Sequence, residues 1–440
     1  MDLEIKRQPN GITINNKYQL KFPKLIWQAY PEKEFLTDNL AHLLTINTPL
    51  ISKNNKVNYN TSLPLLKSFF STAIINSIAH STDDYDQSTQ ETIKQFLNID
   101  YKFKNNQVKY PNYKEQLEEN AIVSFSAGKD SLLSLAAAQE LDLNPVGVYI
   151  NDTVSPTENK LKLKHMEKIS NEHKIPIHIV KNELEKLNDF ETWDTEETCL
   201  GYTHMLTGFS LLALPFSHYY KAKHIIVGNQ EDMNFYFVNK EGYRTYPAYD
   251  QTREWMRQQN IMLSLITNKE AKLSSLIQPL TNIAIMRVLF KRYPDFAKYE
   301  ISCDCLDASL ESRWCHECSK CARLGLFLVA NNINPKIANL KPLFNKEHKK
   351  LYCLFQGKEA DCYEKSEEAR DQQLLAFYLA YKNKARGYLI DLFKKQFLAE
   401  AQEREDQLIN HFFKLHSMKN LPKNIVKPLK SIYSEELNNI

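Results

Sequence analysis

Between residues 121 and 227 the chain alternates short apolar runs with longer stretches of helical spacing. Residues 121–125, 146–150, 175–180 and 225–227 are rich in Val, Ile and aromatic side chains and have the length of buried strands. Residues 131–141, 160–172 and 208–220 carry helical periodicity between them. Strands alternating with helices predict a parallel sheet wound on both faces, because every parallel return needs a crossover. Ligands of such sheets bind beyond the carboxyl ends of the strands, near a switch in strand order.

The flanks read differently. Residues 11–22 alternate around Asn15 and Asn16, which predicts a hairpin; residues 101–103 and 108–110 predict another around Asn105 and Asn106. A helix is expected over 63–80. Beyond the middle, 323–331 and the charged stretch 364–414 read as helical, with a polar tail after them. The expected class is α/β: a doubly wound parallel sheet over 116–335, an α+β N-terminal domain over 1–115 and a helical C-terminal extension over 336–440. The extension is expected to serve packing or oligomerisation.

A chain of 440 residues with 43% hydrophobic and 25% charged residues can fill a large core. Its formal net charge of +3 argues against a broad nucleic-acid or membrane footprint. Residues 1–20 lack the apolar centre of a signal peptide, and no apolar run approaches membrane-spanning length. Cytoplasmic location is therefore expected, with no membrane or nucleic-acid partner.

The first predicted strand runs into Ser126, Ala127, Gly128, Lys129, Asp130 and Ser131, and a Leu- and Ala-rich helix follows. A turn of small residues at a strand–helix junction lets backbone N–H groups close on an anion, and the helix start adds partial positive charge. Ser126 and Ser131 supply hydroxyls, Lys129 a cation, and Asp130 a carboxylate for magnesium or for capping the helix. Asp130 after Lys129 excludes a Walker A loop. A second loop, Gly228 to Asp232, follows the strand at 225–227. Gly228 permits close approach there, and Glu231 or Asp232 could hold magnesium opposite Asp130; solvated loop acids are the plain alternative.

Five of the eight cysteines lie close together: Cys303, Cys305, Cys315, Cys318 and Cys321. Successive Cys-x-x-Cys turns can aim three thiols at one centre, with either Cys303 or Cys305 as the fourth. Four thiolates suit structural zinc; an iron–sulfur cluster would use similar ligands.

The Ser126–Ser131 motif resembles the Ser-Gly-Gly-x-Asp-Ser signature of PP-loop ATP-pyrophosphatases, with Ala127 in place of the first glycine. The resemblance implies a PP-loop/HUP-like core and cleavage of ATP between its α and β phosphates. It also implies pyrophosphate at Ser126, Gly128, Asp130 and Ser131, and adenine near Tyr149 and Asn151. The thiol cluster resembles the zinc site of 7-cyano-7-deazaguanine synthases. A longer match, from about 123 to 331, resembles the ATP-dependent epimerases of UDP-N-acetylmuramoyl-L-alanyl-L-glutamate. It rests on Gly128 to Ser131, His204, Gly228, Asn229, Asn234, Tyr249, Glu254, Trp255, Pro279, Leu280 and Arg313 to Cys321. In that match Cys303 is the fourth thiol. The sequence departs from the family around Tyr246–Thr252.

What this resemblance implies is adenylation of a glutamate carboxylate and inversion of the neighbouring carbon. Catalytic candidates are then His204, as general acid/base, with Lys129 and Asp130; Gly228, Asn229, Glu231 and Asp232 complete the nucleotide site. The implied cofactors are ATP, magnesium and structural zinc, and the implied partner is a small molecule such as a UDP-muramoyl peptide. An amidating or thiolating enzyme of nucleobase or tRNA modification, and a non-catalytic nucleotide-binding scaffold, are the rival readings.

Overall fold

The computed structural model describes residues 1–152, 156–203, 205–303, 313–357 and 365–438. Its centre is an eight-stranded sheet. Three strands come from the N-terminus: β1 (Ile5–Gln8), β2 (Gly11–Ile14) and β3 (Tyr18–Lys21). Five come from the middle: β4 (Glu118–Ser124), β5 (Pro145–Asp152), β6 (Ile177–Asn182), β7 (Ala222–Ile226) and β8 (Lys272–Ser274). Their spatial order is β8-β7-β4-β5-β6-β3-β2-β1. Strands β4 to β8 pair in parallel, whereas β1 to β3 form an antiparallel meander that joins β6 through Leu20 opposite Asn182.

The middle chain lays β4, β5 and β6 side by side, then crosses back to place β7 and β8 on the other flank of β4. That reversal opens a crevice beyond the carboxyl ends of β4 and β7. The longer helices include α1 (Lys129–Glu140), α2 (Pro156–His173), α3 (Asn282–Arg292), α4 (Ser319–Ala330), α5 (Glu367–Lys382) and α6 (Lys423–Leu437).

Alternation along β4 sends Ala121 and Val123 into one core and Ile122 into another. The first core is shared with α1, α3, α4 and the C-terminal helices, the second with the N-terminal segment. With both faces covered, the central strands are apolar at successive positions. Each fully buried Val or Ile contributes about 1.5–3 kcal/mol.

The hairpin around Asn15 and Asn16 is present, with Ile14 opposite Tyr18. The one expected around Asn105 and Asn106 is not. Asp100–Val108 is a single strand, parallel to Lys56–Leu63, in a separate three-stranded sheet. The backbone explains the difference. Asn15 and Asn16 hold φ of 52° and 53°, the left-handed pair that a two-residue hairpin turn requires, and neither Asn105 nor Asn106 has a positive φ. Tyr101 also donates its hydroxyl to the Ile46 carbonyl at 2.6 Å, tying the strand to the N-terminal core. The polar tail contains α6, which buries Ile425, Leu429 and Tyr433 and packs against α3. No helix among the described residues is long and apolar enough to cross a membrane.

Candidate functional site

The turn after β4 forms because the strand's apolar run stops at buried Phe125 and only small side chains follow. Ala127 takes a left-handed φ of 59°, and Gly128 precedes α1 in an extended conformation without a side-chain cap. Ser131 braces the turn: its hydroxyl accepts the Ser126 N–H (3.2 Å) and donates to the Gly128 carbonyl (3.0 Å). The segment before Cys303 braces it from outside. The Ile301 N–H donates to the Ala127 carbonyl at 2.9 Å, and Ser302 Oγ accepts the Lys129 N–H at 3.3 Å. The N–H groups of Ala127, Gly128, Asp130 and Ser131 have no acceptor among the described residues. They sit at the positive end of a twelve-residue helix.

This turn borders a cleft of about 190 Å³ to which Ser126, Gly128, Lys129 and Asp130 all contribute. The far walls bring Lys162 from α2 and Lys320 and Arg323 from α4. Four cationic side chains thus line the cleft with one carboxylate, Asp130. Lys129 is buried, with Nζ at 2.6 and 2.8 Å from the Asp130 oxygens and 3.1 Å from Gln230 Oε1. Lys162 is paired with Glu158.

Gly228 lets the loop after β7 close on the helix start. A Cβ there would lie 3.1 Å from Asp130 Cβ. This loop gives the cleft Gln230 and Met233; Asn229, Glu231 and Asp232 do not border it. Asp232 is part of the scaffold. It accepts the Asn282 N–H at the start of α3 (2.8 Å), the Asn282 side-chain amide (3.1 Å) and the Gln372 amide from α5 (2.8 Å). Glu231 is also buried, paired with Arg253 at 2.9 Å and near His416 Nδ1 at 3.6 Å. Burial pushes its carboxyl up to about 7, against the pull of Arg253. The expectation that one of these acids faces Asp130 across a magnesium ion therefore lacks geometric support, because each carboxylate is committed to a structural partner.

Tyr149 is likewise a core residue. Its hydroxyl bonds to Asn159 Oδ1, and burial raises its pKa above the usual phenol range. Asn151 lies half-buried on β5 in register with Lys181, and neither residue borders the cleft. His204 and Cys305 fall outside the described residues.

Sequence reasoning missed the cleft residues Lys162, Gln230, Ser302, Lys320 and Arg323. Lys320 and Arg323 carried a faint signal, two cations at helical spacing directly after a Cys-x-x-Cys turn; Lys162 stands among many lysines and carried none. Glu300 is fully buried, and neither of its oxygens meets hydrogen-bond geometry with a described group. Burial pushes its carboxyl up to about 7, opposed by Ser302, Arg313 and Lys129.

Beside the cleft, the sulfurs of Cys303, Cys315, Cys318 and Cys321 all lie within 4.8 Å of one another. Cys315 and Cys321 are 3.7 Å apart, too far for a disulfide and close to the roughly 3.8 Å edge of a tetrahedron with Zn–S bonds near 2.3 Å. Backbone N–H groups of Cys315, Glu317 and Cys321 point to the sulfurs of Cys303, Cys315 and Cys318, each at 3.4 Å. The donor set fits a tetrahedral metal such as zinc. Cys303 fills the fourth corner.

Comparisons with family models and with curated proteins find no match to this chain. The arrangement can hold an extended polyanion, with open amides at the helix start and cations on the opposite walls.

Proposed function

We propose that this protein is an ATP pyrophosphatase of the PP-loop type that adenylates a substrate carboxylate. The observation carrying this reading is the strand–turn–helix junction at 124–131, whose open amides border a cleft ringed by Lys129, Lys162, Lys320 and Arg323. The parallel strand order, with its reversal at β4 and β7, puts that junction where nucleotides bind in open α/β sheets.

In this reading the β and γ phosphates lie against the turn, and Lys320 and Arg323 neutralise the charge that builds on the departing pyrophosphate. A substrate carboxylate oxygen attacks the α-phosphorus, the bond to the β-phosphate oxygen breaks, and pyrophosphate leaves. Magnesium, held through Asp130, would offset further phosphate charge. The mixed anhydride makes the adjacent C–H acidic, because the carbanion delocalises into a neutral acyl group. A base removes that proton, an acid returns one on the other face, and water releases AMP. The preferred acceptor is UDP-N-acetylmuramoyl-L-alanyl-L-glutamate, with His204 as the acid/base group. Passage of the activated carbon to ammonia or sulfur is the second reading, favoured by the four-thiol site.

The test is nucleotide analysis of protein incubated with ATP, magnesium and single acceptors. AMP and pyrophosphate that depend on the muramoyl dipeptide support the first reading, and dependence on RNA or a deazapurine supports the second. Asp130→Asn should abolish AMP formation, and Arg323→Ala should raise the KM for ATP at least tenfold, as expected for a charge-assisted contact worth about 1.5–3 kcal/mol. ATP turnover to ADP, or no turnover with any acceptor, contradicts the proposal.

A further inference from the structure

The four-thiol cluster and the cleft are adjacent in the chain twice over. Cys303 directly follows Ile301 and Ser302, the pair that braces the phosphate turn. A Cβ on Gly128 would lie 3.2 Å from Ser302 Oγ, so this segment and the turn are in contact. On the other side, Cys318 caps α4 by accepting the Cys321 N–H. Lys320 lies between those two ligands, and Arg323 is two residues beyond Cys321; both line the cleft. The cluster therefore joins two walls of the anion site, the brace behind its amides and the helix that carries two of its cations.

We infer that the metal held by Cys303, Cys315, Cys318 and Cys321 sets the affinity of the cleft for pyrophosphate, by fixing Ser302 against the turn and Lys320 and Arg323 across from it. This rests on the phosphate-binding reading above and adds a dependence that the reading does not require. Without a metal, the cluster is held by thiol contacts such as the 3.7 Å Cys315–Cys321 pair and by N–H···S bonds of 3.4 Å. Such contacts are weak beside the roughly 10–16 kcal/mol of a structural zinc site. Their release frees the two walls independently, and the cations no longer converge on the turn. Linkage makes the effect reciprocal: pyrophosphate must tighten zinc binding by the factor by which zinc tightens pyrophosphate binding.

Two titrations of the full chain test this. Calorimetry with pyrophosphate should show at least tenfold weaker binding after zinc is stripped by EDTA, with circular dichroism unchanged. Separately, competition between protein and a chromophoric chelator should show higher zinc affinity when pyrophosphate is present. The Lys320→Ala, Arg323→Ala double variant should lose that gain, which controls for zinc captured by free pyrophosphate. Equal pyrophosphate affinity with and without zinc in folded protein overturns the inference while leaving the phosphate site intact. If stripping unfolds the chain, the competition alone decides, and zinc affinity indifferent to pyrophosphate overturns it. Failure of the zinc-loaded protein to bind pyrophosphate at all sinks the phosphate reading, and this inference with it.

Discussion

At residue 127 the backbone turns left-handed although the side chain there is alanine. An L-residue with a Cβ pays about 1–2 kcal/mol for that conformation, which glycine adopts freely. Ala127→Gly should accordingly shift stability by less than about 1 kcal/mol in urea titration, because relief of that strain is offset by the greater freedom of glycine in the unfolded chain and by loss of a methyl group buried in the core. A gain or loss well beyond about 1 kcal/mol would contradict that balance. Glu185 offers a second test, through pH. Burial raises its carboxyl from 4.5 to about 7, against hydrogen bonds from Asn188 and Asn182. A raised acid is stabilised by its proton, so the folded state is favoured below pH 4.5 and loses that advantage as pH rises through 7. Glu185→Gln should therefore stabilise the protein by about 2–3 kcal/mol at pH 8 and change little at pH 4. An equal effect at both pH values would contradict this. The residues of the turn could be read from the sequence because they are neighbours in one motif. Lys162 could not, and Lys320 and Arg323 only faintly, since they reach the cleft from two other helices. Asp232 misled because an acid after a strand looks available, and only the fold shows Asn282 and Gln372 occupying it.

Elements were legible where burial is local. The runs that became β4, β5, β6 and β7 were placed to within a few residues, because strands buried on both faces read as continuous apolar stretches. β8 was missed: Lys272, Leu273 and Ser274 are too short a stretch to show any period. The region 208–220 divides into Met205–Leu212 and Leu214–Tyr219, the second opening with Pro215 in its first turn, where a missing N–H is tolerated. The meander β1–β3 was half legible. Its asparagine turn showed in the sequence, but its union with β6 depends on Leu20 meeting Asn182, which no local pattern encodes. The loop after β7 owes its position to Gly228, whose missing Cβ lets it approach Asp130.

For the whole molecule, a net charge of only +3 hides a local gathering of cations at the reversal of strand order. The N-terminal segment covers one face of the sheet and the C-terminal helices the other, so both flanks hold the crevice in shape. We propose that the turn after β4 binds the phosphate tail of a nucleotide through its open amides. The decisive measurement is amide hydrogen exchange resolved at Ala127, Gly128, Asp130 and Ser131, with and without saturating ATP and magnesium. Exchange at these four positions should slow at least tenfold on nucleotide addition, ahead of any change in the core strands. Unchanged exchange there, with protection appearing elsewhere or nowhere, would show that the nucleotide does not bind at this turn.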